Sequence, residues 1–259
     1  MQVNSGSPSE IADTGQKEQH VLVEPPLPAL AVQDLGVTIG GRTIVREVSF
    51  VLEAGASLAI VGPNGSGKSV LLKALLGLLP HSGKIAWPPD TRTGYVPQNV
   101  SADPHLPLTT GELLRAKASV QHLTREEVQS AVDWAGVADL LDQRVGALSG
   151  GQLQRVLIAF ALAGDPDVLL VDEPTASLDE PSEEHFIELL NRTRLQRGTT
   201  LILVSHDLTL VRGAATHVLC LSAGAASFGT AAEMLVPEVL ERVYGQPVEF
   251  HAHSLERST

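Results

Sequence analysis

From Ala29 onward the chain alternates short apolar runs with glycine and proline breaks, a rhythm that predicts brief strands joined by helices. Ala31-Val32-Gln33-Asp34-Leu35 and Val37-Thr38-Ile39 precede Gly40-Gly41, and Thr43-Ile44-Val45 through Val48-Ser49-Phe50 follow it. Two β-rich runs about a Gly-Gly pair predict a hairpin, because both turn residues can take positive φ. Ala56 to Val61 is an apolar run ending in glycines, and Val70 to Leu76 has helical spacing that stops near Pro80. The order there is strand, glycine loop, helix. Thr91 to Pro97 is a further short strand closed by proline.

Residues 109–145 read as mostly helical, with a start signal at Thr124-Arg125-Glu126-Glu127 and a run to Trp134, and they predict an inserted helical layer spanning about 99–163. Val168 to Val171 and Leu201 to Val204 are continuous apolar runs, the pattern of strands buried on both faces of a parallel sheet. With helices between them they complete an α/β pattern. Residues 1–28 are polar and acidic and end in Glu24-Pro25-Pro26-Leu27-Pro28, which reads as a flexible leader closed by a stiff spacer. Residues 29–259 are expected to form one domain, with a C-terminal extension over about 222–259.

Composition narrows the function. The 259 residues carry a net charge of −12, so a bulk grip on nucleic acid is disfavoured, because phosphate neutralisation needs a dense Lys/Arg face. Two Trp, two Tyr and five Phe are too few to build stacking platforms along a single strand. The single cysteine, Cys220, excludes an intrachain disulfide framework and reads as a small buried apolar residue of a reducing compartment. No apolar run reaches the ~18 residues of a membrane span, so a soluble, cytoplasmic chain is expected, with any membrane role resting on partner subunits.

Three motifs carry chemistry. Gly62-Pro63-Asn64-Gly65-Ser66-Gly67-Lys68-Ser69 matches the phosphate-loop pattern: its glycines let backbone N–H groups converge on phosphate oxygens, Lys68 reaches the β- and γ-phosphates and Ser69 ligates Mg²⁺. Val168 to Val171 delivers Asp172 and Glu173 at a strand end, Asp172 placed to hold Mg²⁺ through water and Glu173 to orient or deprotonate an attacking water. Strand ends often bear acids, so this pair gains its weight from the phosphate loop. In Leu148-Ser149-Gly150-Gly151-Gln152, Ser149 is a natural N-cap and the glycines let a phosphate approach a helix start, a second phosphate site without a lysine.

Together these residues resemble the ATP-binding subunit of an ABC (ATP-binding cassette) transporter, over about Leu35 to Leu221. The resemblance implies a P-loop NTPase core of RecA-like mixed sheet, an antiparallel β subdomain and an inserted α-helical subdomain, with ATP and Mg²⁺ as cofactors. It implies that Gln98, closing Gly94-Tyr95-Val96-Pro97-Gln98, touches Mg²⁺ and the attacking water, that Asp179 of Ser177-Leu178-Asp179 lies across a dimer interface, and that His206 contacts the γ-phosphate. It further implies a head-to-tail homodimer in the ATP-bound state, in which Ser149, Gly150, Gly151 and Gln152 act on the nucleotide of the other copy. Closing on ATP would move transmembrane permease subunits, served indirectly by an extracytoplasmic solute-binding protein; no nucleic acid is involved. The chain would then sit at the inner face of the membrane through those subunits.

Two departures stand out. Ile39 stands where the family commonly places an aromatic ring against adenine, leaving an aliphatic contact and a relaxed base preference. Val70 follows Ser69 where a threonine hydroxyl often meets the α-phosphate. Tyr95-Val96-Pro97-Gln98 with Leu106-Pro107-Leu108-Thr109-Thr110, His217-Val218-Leu219-Cys220-Leu221 and Tyr244-Gly245-Gln246-Pro247 with His251-Ala252-His253 resemble zinc and manganese importers. His251 and His253 themselves read as solvated tail residues. An importer of another substrate such as iron chelates, a soluble non-transport ABC ATPase and a plain P-loop kinase are the competing readings. Against the soluble ATPase stand the lack of a coiled-coil stretch, of a zinc-binding Cys set and of a duplicated cassette.

Overall fold

In the computed structural model, residues 28–98, 103, 107–173, 180–222 and 225–246 are described. Asp179, His251, His253 and all of the leader except Pro28 lie outside them. The Gly-Gly hairpin is present: β1 (Pro28–Ile39) and β2 (Arg42–Glu53) pair antiparallel down to Ile39 opposite Arg42. Gly40 and Gly41 take φ of 57° and 77° at the two-residue turn. The chain enters its first strand at Pro28, which stands opposite Glu53; a strand's first residue tolerates the missing N–H.

Six strands form the second sheet, ordered β5 (Thr93–Val96), β6 (Val168–Asp172), β7 (Thr200–Val204), β3 (Ser57–Val61), β8 (His217–Ser222) and β9 (Ala225–Thr230). All pairings are parallel except that of β8 with β9. The continuous apolar runs follow from burial on both faces. Leu169, Val171, Leu201 and Leu203 join the core with the inserted helices, while Leu170, Ile202 and Val204 join the core beneath the β1–β2 hairpin. Helix α1 (Lys68–Leu75) follows β3 and packs in the hairpin-side core through Leu71, Leu72 and Leu75.

The inserted layer comprises α2 (Thr110–Gln121), α3 (Arg125–Ala135) and α4 (Gly150–Leu162), between β5 and β6. Thr109 with Glu112 and Thr124 with Glu127 close reciprocal caps that fix the starts of α2 and α3. Helix α5 (Glu180–Arg197) joins β6 to β7, α6 (Leu208–Ala214) joins β7 to β8, and α7 (Ala231–Met234) and α8 (Pro237–Tyr244) follow β9. Two strands go beyond the sequence expectation. β4 (Ser82–Ala86) pairs with β1, and β9, inside the segment expected as an extension, continues the main sheet. Neither Ser-Gly-Lys-Ile-Ala nor Ala-Ala-Ser-Phe-Gly-Thr carries an alternating apolar pattern; both are recruited by a neighbouring strand.

The register levels the strand ends. Val96 pairs with Val171, Asp172 with Val204, and Ile60 with Val204, so the loops after β5, β6, β7 and β3 leave the same edge side by side. Ligands of open parallel sheets bind at that edge.

Candidate functional site

The loop after β3 turns on glycines that no other residue could replace without strain. Gly62 has φ of 146°, and a Cβ there would stand 2.0 Å from the Leu221 carbonyl oxygen. Gly67, at φ 101°, caps α1 with its Cα against Ile44 and Val45 of β2, whose side chains would lie 3.1 Å from an added Cβ. The hairpin therefore backs the loop. Asn64 and Gly65 form its exposed crest, and Pro63 closes the turn by accepting from the Ser66 amide at 3.2 Å. The Ser66 hydroxyl is buried with no hydrogen-bond partner, an orphaned polar group within the loop.

Lys68 is 5% exposed and donates from Nζ to the carbonyls of Gly62 (2.9 Å) and Pro63 (3.2 Å), with Glu173 Oε1 at 4.0 Å. Burial lowers its pKa, and the charges of Glu173 and Asp172 offset part of that. Ser69 Oγ donates to Asp172 Oδ1 over 3.0 Å. Asp172 is 2% exposed; burial raises its pKa, the Ser69 bond opposes this, Glu173 adds to it, and the charges of Lys73 and Lys68 oppose it. A buried carboxylate and a hydroxyl, both hard oxygen donors, suit Mg²⁺.

Glu173 follows the last residue of β6 with φ of 41°, a left-handed turn for a side chain with no intrinsic preference for it. Its amide donates to Val204 O at 2.9 Å, which fixes the turn to the neighbouring strand. The turn aims the carboxylate at three groups from three other segments, two loops and the start of α1. Gln98 donates from Nε2 to Oε2, His206 Nδ1 stands 3.9 Å from the same oxygen, and Lys68 faces Oε1. Gln98, Lys68, Ser69, Asp172, Glu173 and His206, all read from sequence, are thus one cluster.

The Ser149 segment lies elsewhere. Ser149 caps α4, its hydroxyl accepting from the Gln152 amide (3.3 Å) while Gln152 Oε1 accepts from the Ser149 amide (2.9 Å). Ser149, Gly151 and Gln152 line a hollow of about 250 Å³ with Arg155, Ser182 and His185, and no residue of the phosphate loop borders it. Gly150 is exposed beside it. Ile39 is 46% exposed at the hairpin end, and Val70 packs into the hairpin-side core.

Sequence reading missed two neighbours of this site. Lys73 sits one helical turn after Ser69, and that spacing was its signal. Tyr244, at the end of α8 and read from sequence only as part of an importer-like ending, lies against the Gly62 backbone with its phenol raised in pKa by burial.

A family described as "ABC transporter" matches residues 45–176. The zinc import ATP-binding protein ZnuC of Jannaschia sp. (strain CCS1) is 41% identical over 204 residues, 78% of this chain and 83% of the relative. That of Yersinia pestis bv. Antiqua (strain Antiqua) is 39% identical over 194 residues, 74% and 76% of the two chains. Among solved structures, an inward-facing putative metal-chelate type ABC transporter aligns with TM-score 0.78 and 28% identity, covering 85% of this chain and 90% of that one. CbiO1 of Clostridium perfringens, part of the ABC transporter complex CbiONQ, aligns with TM-score 0.69 and 26% identity over 83% and 93%.

Proposed function

The chain belongs to the ABC transporter family as an ATP-binding, ATP-hydrolysing subunit, and from that premise we propose that it drives import of a divalent metal ion, zinc or manganese. One observation carries the reading: Lys68, Gln98 and His206 converge on Glu173 beside Ser69 and Asp172, in a chain whose relatives are zinc import ATP-binding proteins.

Glu173 is the general base. Its turn at φ 41° and the Gln98 contact hold the carboxylate where a water between Gln98 and His206 meets both. Such a positioned base is worth about 10²–10⁴-fold in rate. Lys68 leaves the Gly62 and Pro63 carbonyls for the β- and γ-phosphates, which compensate its buried charge better than neutral acceptors do. The Gly62 to Ser69 segment, with Pro63, Asn64, Gly65, Ser66 and Gly67, presents backbone donors to those phosphates, and the orphaned Ser66 hydroxyl adds one more. His206 donates to the γ-phosphate. Ser69, Asp172 and Gln98 would hold Mg²⁺, which when bound would supply positive charge to offset that of the transferring phosphoryl group. Ile39 covers the base from the end of the hairpin whose Ile44 and Val45 back Gly67.

Two copies close head to tail on ATP. Ser149, Gly150, Gly151 and Gln152, remote from their own chain's Glu173 cluster, then serve the other copy's phosphates, with Asp179 at the interface. Among the described residues no helix is long and apolar enough to cross a bilayer, so permease subunits form the path, and the chain docks on their cytoplasmic face. A receptor outside the membrane supplies the ion. The likeness to a metal-chelate type transporter supports a second reading, import of a chelated metal.

The test is affinity capture of the chain from detergent-solubilised membranes, followed by ⁶⁵Zn and ⁵⁴Mn uptake in cells lacking it. Capture of a permease and loss of zinc or manganese uptake, restored by the chain but not by Glu173→Gln, is expected. Unchanged uptake of both ions would overturn the metal assignment, and uptake of iron chelates lost instead would favour the second reading.

A further inference from the structure

The phosphate loop leaves β3 at Gly62, a buried residue closed in by two other elements. One is β8: Cys220 pairs with Val61, and the Leu221 carbonyl oxygen stands 2.0 Å from where a Cβ of Gly62 would lie. The other is α8, whose Leu240 and Val243 are buried in the same core as Cys220 and whose last residue is Tyr244. Gly245, left-handed at φ 73°, stops the helix there, its amide donating to Glu241 O at 2.8 Å. Tyr244 is thus set against the Gly62 backbone. Its hydroxyl oxygen is buried and has no hydrogen-bond partner, and burial raises the phenol's pKa while the Gly62 backbone offsets part of the rise.

A phenylalanine would fill the same space without an orphaned polar atom, so in this state the hydroxyl costs stability. A second state that bonds it accounts for its presence. The Gly62 carbonyl accepts from Lys68 Nζ at 2.9 Å, whereas Pro63, the lysine's other acceptor, also accepts from the Ser66 amide at 3.2 Å. When Lys68 moves to the phosphates, Pro63 keeps a donor and the buried Gly62 carbonyl loses its own. An uncommitted donor therefore lies beside the acceptor that nucleotide binding frees. We propose that Tyr244 is a positioning residue of the phosphate loop, its hydroxyl donating to the Gly62 carbonyl once Lys68 has left it and so holding the loop in its nucleotide-bound form. The inference rests on the Lys68 movement proposed above, and it gives the C-terminal helix a part in nucleotide binding.

The experiment measures ATP·Mg²⁺ affinity and the nucleotide-free melting temperature of the full chain, of Tyr244→Phe, of Lys68→Met and of the double variant. Lys68→Met is expected to lose most of the affinity; if it binds as the parent does, the Lys68 reading fails and this inference with it. Tyr244→Phe is expected to bind about two- to tenfold more weakly, yet to melt no lower than the parent without nucleotide, because it deletes an unbonded hydroxyl. In Lys68→Met the Gly62 carbonyl is already free, so there the same change should lower the nucleotide-free melting temperature by about 2–4 °C. With Lys68→Met impaired as expected, three results would overturn the role of Tyr244 and leave the Lys68 reading standing. They are parent-like affinity in Tyr244→Phe, a lower nucleotide-free melting temperature for that single variant, as a merely structural tyrosine gives, or equal shifts in the two backgrounds.

Discussion

Ser69 Oγ donates to Asp172 Oδ1 over 3.0 Å, joining the first turn of α1 to the end of β6 across 103 residues of sequence. Asp172 is buried, and its pKa is raised chiefly by that burial. The sign follows: a raised carboxylate pKa means that the folded state binds the proton more tightly, so the ionised form costs stability at neutral pH. Asp172→Asn should therefore melt no lower than the parent at pH 7 while losing Mg²⁺-dependent ATP binding by about tenfold or more. Calorimetry with and without ATP·Mg²⁺ measures both. A lower melting temperature with intact binding would place the residue in the scaffold.

Gly62→Ala should be far more damaging than its size suggests. The new methyl would lie 2.0 Å from the Leu221 carbonyl at a φ of 146°, and backbone oxygen cannot move aside cheaply. A loss of about 3 kcal/mol or more is expected, read as a drop of roughly 6–12 °C in melting temperature. Gly65→Ala, at an open crest with nothing within 4 Å of the added carbon, should cost less, about 1–2 kcal/mol from its left-handed φ of 78° alone.

Lys117 is half-buried on α2, donating to the Phe160 carbonyl and, at 3.4 Å, to that of Ala161, near the end of α4, and burial lowers its pKa to about 8. Below that value both folded and unfolded chains hold the proton. Between pH 8 and the ordinary lysine range the unfolded chain binds more protons, so this group makes stability rise with pH there. Urea melts at pH 8 and 10 should show the parent gaining relative to Lys117→Met, which lacks the titrating group. A parent that loses ground to Lys117→Met over that interval would contradict the sign.

Ile39→Tyr should tighten ATP binding. The residue is 46% exposed at a hairpin end whose Ile44 and Val45 abut Gly67 of the phosphate loop. A ring there adds a stacking face worth about 0.5–1.5 kcal/mol, or roughly two- to tenfold in affinity. In the parent, GTP and CTP should displace labelled ATP; failure of both would remove the relaxed base preference.

Most of this architecture was legible because its signals are local. The Gly40-Gly41 turn, the caps at Thr124 and Ser149, and the doubly buried runs in β6 and β7 each follow from neighbours in sequence. β4 and β9 were not, since their residues take strand form from pairing with β1 and β8. The candidate site residues were named through motif resemblance; their convergence on one carboxylate depends on the level strand ends, which only the sheet order supplies. The contacts of Trp134 with Arg192 and Thr193 left no trace, because the partners lie 58 and 59 residues apart and an arginine on a helix reads as solvated surface.

The central claim is that Glu173 is the base of an ATPase that works as a closed pair of chains. Its most direct test is Glu173→Gln, with steady-state hydrolysis and ATP-dependent association measured on the same preparation. The account predicts turnover at about 1% of the parent or less, together with a dimer that persists in ATP·Mg²⁺. Hydrolysis near the parent rate, or no ATP-dependent dimer at any protein concentration tested, would contradict it.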